Sequence, residues 1–171
     1  MSDASGIEEV LRRDHERLDG LLRATWAGET IDTAAYGAFR AGLLRHIGIE
    51  EKLLIPLVRG RLSEAALALA KQLKLDHAAL VALLVPTPTR EIVGQLKALL
   101  AQHNPLEEGE EGRDGFYAIC ARLAATDEEA VIRRIDAAPP VPLAAHHDGA
   151  RAFANITRLL RAAGRDRASH G

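Results

Sequence analysis

Apolar residues recur along this chain at intervals of three and four. Leu11, Leu18 and Leu22 share a stripe with His15; Phe39, Leu43 and Leu53 share one with His46 and Glu50. Leu73, Leu80, Val81 and Leu84 surround His77 in the same way, and Leu96, Leu99 and Leu100 surround His103. These offsets trace one face of an α-helix. The spacing therefore predicts four helices, at about 6–27, 33–59, 63–84 and 90–111, each with a histidine on its buried side. Asp32 and Ser63 stand where N-caps belong, and Pro86-Thr87-Pro88 ends the third helix. Connections this short make neighbours antiparallel, which gives an all-α, up-down-up-down four-helix bundle.

Two prolines mark weak points. Pro56 falls late in the second helix and is expected to kink or end it. Pro105, between His103 and Glu107, either kinks the fourth helix or restarts it with Asn104 as cap. The run from Gly109 to Gly115 reads as a surface loop, and Phe116 to Leu123 as a short apolar helix. Thr126-Asp127-Glu128-Glu129 reads as a capping box opening another short helix. Beyond Pro139, Pro140 and Pro142, a last amphipathic helix carries Phe153, Ile156, Leu159 and Leu160. The expected division is a bundle over 1–124 and, over 125–171, a C-terminal helical extension packed on it, with a disordered tail at 164–171.

Composition narrows the classes. At 171 residues the chain has the size of one domain, and 4% aromatic residues with abundant Ala and Leu favour helix over sheet. A formal net charge of −2 offers no global attraction for nucleic acid or an anionic membrane, so neither is an expected partner. Arg151, Arg158, Arg161, Arg165 and Arg167 read as a solvated face and frayed tail. Cys120 is the single cysteine, which excludes an internal disulfide or a CxxC site, and it belongs to an apolar run expected to be core. The start shows no signal-peptide pattern, and no apolar segment approaches the roughly 18 residues of a membrane span. A cytoplasmic protein is the expectation.

The chemistry lies in a repeat. DHERLDGLL, with His15, precedes HIGIEE, with His46, Glu50 and Glu51; DHAALVALL, with His77, precedes HNPLEE, with His103, Glu107 and Glu108. Residues four apart on a helix are separated by roughly 40° of rotation and about 6 Å of rise. His46 and Glu50 can thus reach one centre together, as can His103 and Glu107, with His15 and His77 completing the set. A carboxylate bridges two cations through its two oxygens, whereas an imidazole serves one. The economical arrangement is two metals bridged by Glu50 and Glu107, each with two histidines. Imidazole and carboxylate donors without thiolate suit iron first, with manganese and zinc behind it. Glu51 and Glu108 point away from their neighbours and are read as solvated or as supporting the ligands from behind; for Asp14 and Asp76 a solvated face is preferred to orienting a ligand. His146 and His147 are read as cap or surface residues before metal ligands, although a last helix folded over the bundle end would let one of them add a ligand or line an access path. His170 is read as part of the tail, and Tyr117 as packing before a neighbour of the site after the loop.

The order His, HxxxE, His, HxxxE resembles the hemerythrin-like cation-binding (HHE) domain family, over roughly residues 8–120. His15, His46, Glu50, His77, His103 and Glu107 fill its six positions. The resemblance implies a four-helix bundle with a non-haem di-iron centre and a role in binding or sensing oxygen, nitric oxide or peroxide, or in handling iron. The sequence departs from relatives at three places. Leu73 and Val81 stand where oxygen carriers have a further histidine one turn from the third-helix ligand; GEEGRD follows the second EE; and the N-terminal cysteines of cluster-repair relatives are missing. Two other readings use the same residues: a di-iron redox enzyme such as a peroxide-decomposing protein, and an interaction module that metal merely staples. The sequence shows no acid–base pair outside the ligands, and it names no protein partner.

Overall fold

The computed structural model describes residues 6–166. Its main helices are α1 (Ile7–Thr25), α2 (Thr33–Ile49), α4 (Glu64–Leu83) and α5 (Arg90–Glu108). α1 packs on α2 and on α5, and α5 on α4. Asp32 and Ser63 cap as their sequence positions suggest, accepting from the N–H groups of Ala35 and Ala66; Thr89 does the same for α5 through Ile92. No helix among the described residues is long and apolar enough to cross a membrane.

The second helix is not uniform. α2 passes into a π-helical turn at Glu50–Leu54 and then into α3 (Ile55–Val58). Pro56 has no N–H for an α-helical bond and its ring crowds the preceding turn; a wider turn just before it relieves both problems. Pro105, by contrast, is accommodated inside α5, which runs through it without a restart.

The segment after α5 is a tight reversal. Gly109–Glu110 (β1) pairs antiparallel with Arg113–Asp114 (β2), and the chain enters α6 (Phe116–Ala124) directly. Gly115 makes the return possible: a Cβ there would lie 2.2 Å from the Glu107 carbonyl oxygen. α6 consequently packs against the ends of α1 and α5. α7 (Glu128–Asp136) follows, but the expected capping box does not form. Glu128 instead accepts from the N–H of Ile7 at 2.9 Å, capping the start of α1 from another helix.

α8 (Ala150–Ala162) lies along α4, with Ile156 buried and Phe153 exposed. Of the tail expected to be disordered at 164–171, residues 167–171 lie outside the described residues, while 164–166 are placed, held to the bundle by a part-buried contact. Arg165 is held by Asp76 through Nε at 3.0 Å and Nη2 at 2.9 Å, because that buried carboxylate needs a cation. His170 lies outside the described residues.

Two apolar clusters make the interior. One gathers Leu18 and Leu22 of α1, Phe39 and Leu43 of α2, Leu80 and Leu83 of α4, and Leu96 and Leu99 of α5. The other holds Ile7 and Leu11, Ile49 and Leu54, Ala70 and Leu73, together with Phe116, Tyr117 and Cys120. In α1 and α4 the histidine falls between the residues given to one cluster and those given to the other, and in α2 the change comes just after His46, between Ile47 and Ile49, so the polar site forms a layer between two cores.

Candidate metal centre

All six residues singled out by the repeat come together, and each is at least 94% buried. They form two overlapping groups, His15, His46, Glu50 and Glu107, and Glu50, His77, His103 and Glu107. Within each group the donor atoms lie within 4.8 Å of one another, and the two glutamates belong to both.

The distances follow a two-sided scheme. Glu50 places Oε1 3.2 Å from His46 Nε2 and Oε2 3.1 Å from His77 Nε2. Glu107 places Oε2 3.1 Å from His15 Nε2 and Oε1 2.9 Å from His103 Nε2. Each carboxylate therefore faces one histidine pair with one oxygen and the other pair with its second.

Behind the histidines stands a set of carboxylates, and here the sequence reading needs correction. His15 Nδ1 donates to Glu108 at 2.5 Å, His46 Nδ1 to Asp14 at 2.8 Å, His77 Nδ1 to Glu51 at 3.1 Å and His103 Nδ1 to Asp76 at 3.3 Å. None of these four acids is simply solvated. Each is the sequence neighbour of one inward residue and supports an inward histidine from a different segment. The two halves of the repeat obey the same rule: Asp14 serves His46 as Asp76 serves His103, and Glu51 serves His77 as Glu108 serves His15. In the π turn, successive side chains are separated by less than the ~100° of an α-helix, which helps Glu51 stay near its neighbour's side. A carboxylate on Nδ1 holds the proton there and leaves Nε2 free to donate a lone pair inward. The doubled words DH and EE, each occurring twice, were the available signal for these acids.

Tyr117 is the second correction, because it lies in the centre and not merely in the packing around it. Its hydroxyl donates to Glu50 Oε1 at 2.5 Å and lies 3.1 Å from Glu107 Oε2, 3.0 Å from His15 Nε2 and 3.1 Å from His46 Nε2. Nothing in the periodicity marked it, since the Gly115 reversal brings it there. Cys120 is buried in the core that holds Phe116, as expected. His146 and His147 do not join the site: His147 donates its backbone N–H to the Val85 carbonyl, and His146 packs near Tyr36.

Without a cation the donors can balance only by holding protons. Burial works against a charged His46, yet Glu50 and Asp14 outweigh it and raise the imidazole to about 10. His77 is raised to about 12 against burial by Glu107, Glu50 and Glu51, and His103 to about 9 by Glu107 and Asp76. Glu50, which burial and Glu107 would push up, is held down to about 2 by His46 and His77. Burial, then the two glutamates, pushes the Tyr117 hydroxyl well up.

The donor set fits metal better than it fits protons. His15 Nε2 and His46 Nε2 face each other at 3.0 Å, where two positive imidazolium N–H groups would repel. Glu50 Oε2 is buried without a hydrogen-bond partner, although His77 Nε2 is 3.1 Å away. Inward lone pairs and an unsatisfied buried oxygen are what a pair of cations would satisfy. A cavity of about 410 Å³ adjoins the site, walled by Leu18, Leu22, Leu43 and Leu100 and reaching His15, His46 and His103. Exposed Asp19 and Lys97 also line it, so it connects the surface with the donors.

Comparison with known proteins agrees with this geometry. The model of the hemerythrin HHE cation binding domain matches residues 6–135, a span that includes all six inward residues, the four supporting acids and Tyr117. No match was found among curated proteins or among solved structures. On that match, covering most of its length, the chain belongs to the hemerythrin HHE cation-binding domain family.

Proposed function

We propose that this is a cytoplasmic di-iron protein in which His15, His46, Glu50, His77, His103 and Glu107 hold two iron ions, and which binds or senses oxygen, nitric oxide or peroxide. The observation that carries the reading is the convergence of four Nε2 atoms and four carboxylate oxygens, each imidazole backed by a carboxylate on Nδ1. Glu50 and Glu107 would be shared by the two ions, His15 with His46 would hold one and His77 with His103 the other, and the outer acids keep each ring oriented. When bound, iron supplies an electron-rich centre with coordination positions left for a small ligand. The apolar walls of the adjoining cavity admit a small neutral molecule and disfavour a large or charged one.

The helix arrangement we infer is up-down-up-down. It is supported by the order in which each helix meets the two cores: α1 and α4 start in the core containing Phe116, α2 in the core containing Phe39.

The test is iron content per chain after purification without chelators, followed by absorption spectra of the reduced protein with each of the three ligands. About two irons and a spectral change with at least one ligand are expected. Two irons with no change would refute ligand binding, and a single zinc would refute the di-iron assignment.

A further inference from the structure

The six-residue motif leaves out the one hydroxyl at the centre. Tyr117 is fully buried, held by the core that contains Phe116 and by the reversal at Gly115. A hydroxyl that served only as a hydrogen-bond donor would need one acceptor, and Glu50 Oε1 provides it. Tyr117 is placed more specifically than that: its oxygen lies 2.5–3.1 Å from all four donor atoms of the first group. Three pairs among those four share one spacing, 3.0 Å between His15 and His46, 3.1 Å between His15 and Glu107, and 3.2 Å between His46 and Glu50, and all four lie within 4.8 Å of one another.

That spacing has a chemical meaning. Donors bound at about 2.1 Å to one octahedral cation stand about 3 Å from each neighbour at a right angle. Four donors linked in sequence at that spacing, with a fifth 2.5–3.1 Å from each of them, fit an octahedron lacking one vertex. Among the described residues, no hydroxyl stands in this way beside His77 and His103. The chain's second tyrosine, Tyr36, lies beside Phe39 and His146 instead.

We propose that Tyr117 is a direct ligand, as phenolate, of the cation held by His15 and His46. That cation then has five protein donors, whereas the one at His77 and His103 has four, so the two positions are chemically unlike. On binding, the phenol O–H breaks, its proton leaves to solvent, and the oxygen pair forms the bond to the metal; no electron is transferred. The inference rests on the dinuclear reading above.

The experiment loads the full chain with iron, oxidises it to the ferric state in air and records visible absorption and resonance Raman spectra. A phenolate-to-ferric charge-transfer band with enhanced tyrosine ring modes is expected, and ring-deuterated tyrosine should shift those modes. Tyr117→Phe should lose the band while retaining two irons, and Tyr36→Phe should keep it. Two bound ferric ions without the band in the wild type would overturn the tyrosine assignment and leave the dinuclear reading standing. Persistence of the band in Tyr117→Phe would overturn it as well. Fewer than two irons in the wild type would overturn both readings. The deuteration shift is measured on the wild type, so it decides the question even if Tyr117→Phe does not fold.

Discussion

Asp76→Asn is expected to cost the metal-free protein about 3–5 kcal/mol, because it removes one partner of a buried ion pair. Asp76 is fully buried and accepts from Arg165 Nε and Nη2, from Gln72 and from His103. Asparagine keeps the shape but not the charge, leaving the largely buried Arg165 guanidinium without its counterion. Asp14 holds the corresponding place behind His46, yet it is 18% exposed and its cation, Arg17, is 49% exposed. Such a pair is screened by water, so Asp14→Asn should cost no more than about 1 kcal/mol through that contact. Both variants remove the anion that fixes a histidine Nδ1 proton, and both should weaken metal binding about 10–100-fold. Against a total stability of about 5–15 kcal/mol, the first loss would be prominent in urea denaturation of chelator-treated protein. Competition with a chelator measures the affinity. Equal stability losses in the two variants, or undiminished affinity in both, would refute the assignment of these acids.

Other outcomes follow from the same geometry. Metal uptake at neutral pH should release protons, because His46, His77 and His103 are raised to about 10, 12 and 9 in the metal-free site; pH-stat titration reads the release, and affinity should fall on acidification. The metal-free protein should behave oppositely. Its raised histidines stabilise fully below their ordinary 6.5 and lose that contribution as pH climbs toward 9–12, whereas Glu50 stabilises above its ordinary 4.5 and loses it toward about 2. Denaturation across pH with chelator present should therefore show the site's contribution greatest between those two ordinary values. Gly115→Ala should destabilise by about 1–3 kcal/mol or more, since its Cβ would meet the Glu107 carbonyl oxygen at 2.2 Å. Gly112→Ala, strained only by its φ of +79°, should cost about 1 kcal/mol; thermal melts compare the two. Glu51→Ala should lower metal affinity by about 10-fold in the same chelator assay, a larger effect than its part-exposed position suggests.

Much of this arrangement was legible because it is periodic. The helical stripe that places Leu11, Leu18 and Leu22 on one face places His15 there too, and the four-residue step from His46 to Glu50 survives intact since the π turn begins only at Glu50. Asp14, Asp76, Glu51 and Glu108 were misjudged because a helical wheel ranks residues by direction within one helix. Their partners lie on other segments, and a side chain beside the buried face can still reach across. Tyr117 was assigned to packing for a different reason: its position depends on close backbone approach at Gly115, which composition does not reveal. Arg165 was taken as tail because charge near a chain end usually means solvent, and its partner Asp76 had itself been read as solvated.

The layer of imidazoles and carboxylates divides the molecule in a way that bears on how it opens. Leu11, Leu54 and Phe116 belong to one core, and Phe39, Leu80 and Leu96 to another, with charge between them. In the metal-free chain the two cores are expected to open as separate foldons that share the same helices. Amide hydrogen exchange should then show two levels of protection along α1 and α4, changing near His15 and His77. Two cations fastened at the same level to α1, α2, α4 and α5 would merge them into one cooperative unit, so the centre would act as a rivet for the fold as well as a site for a ligand.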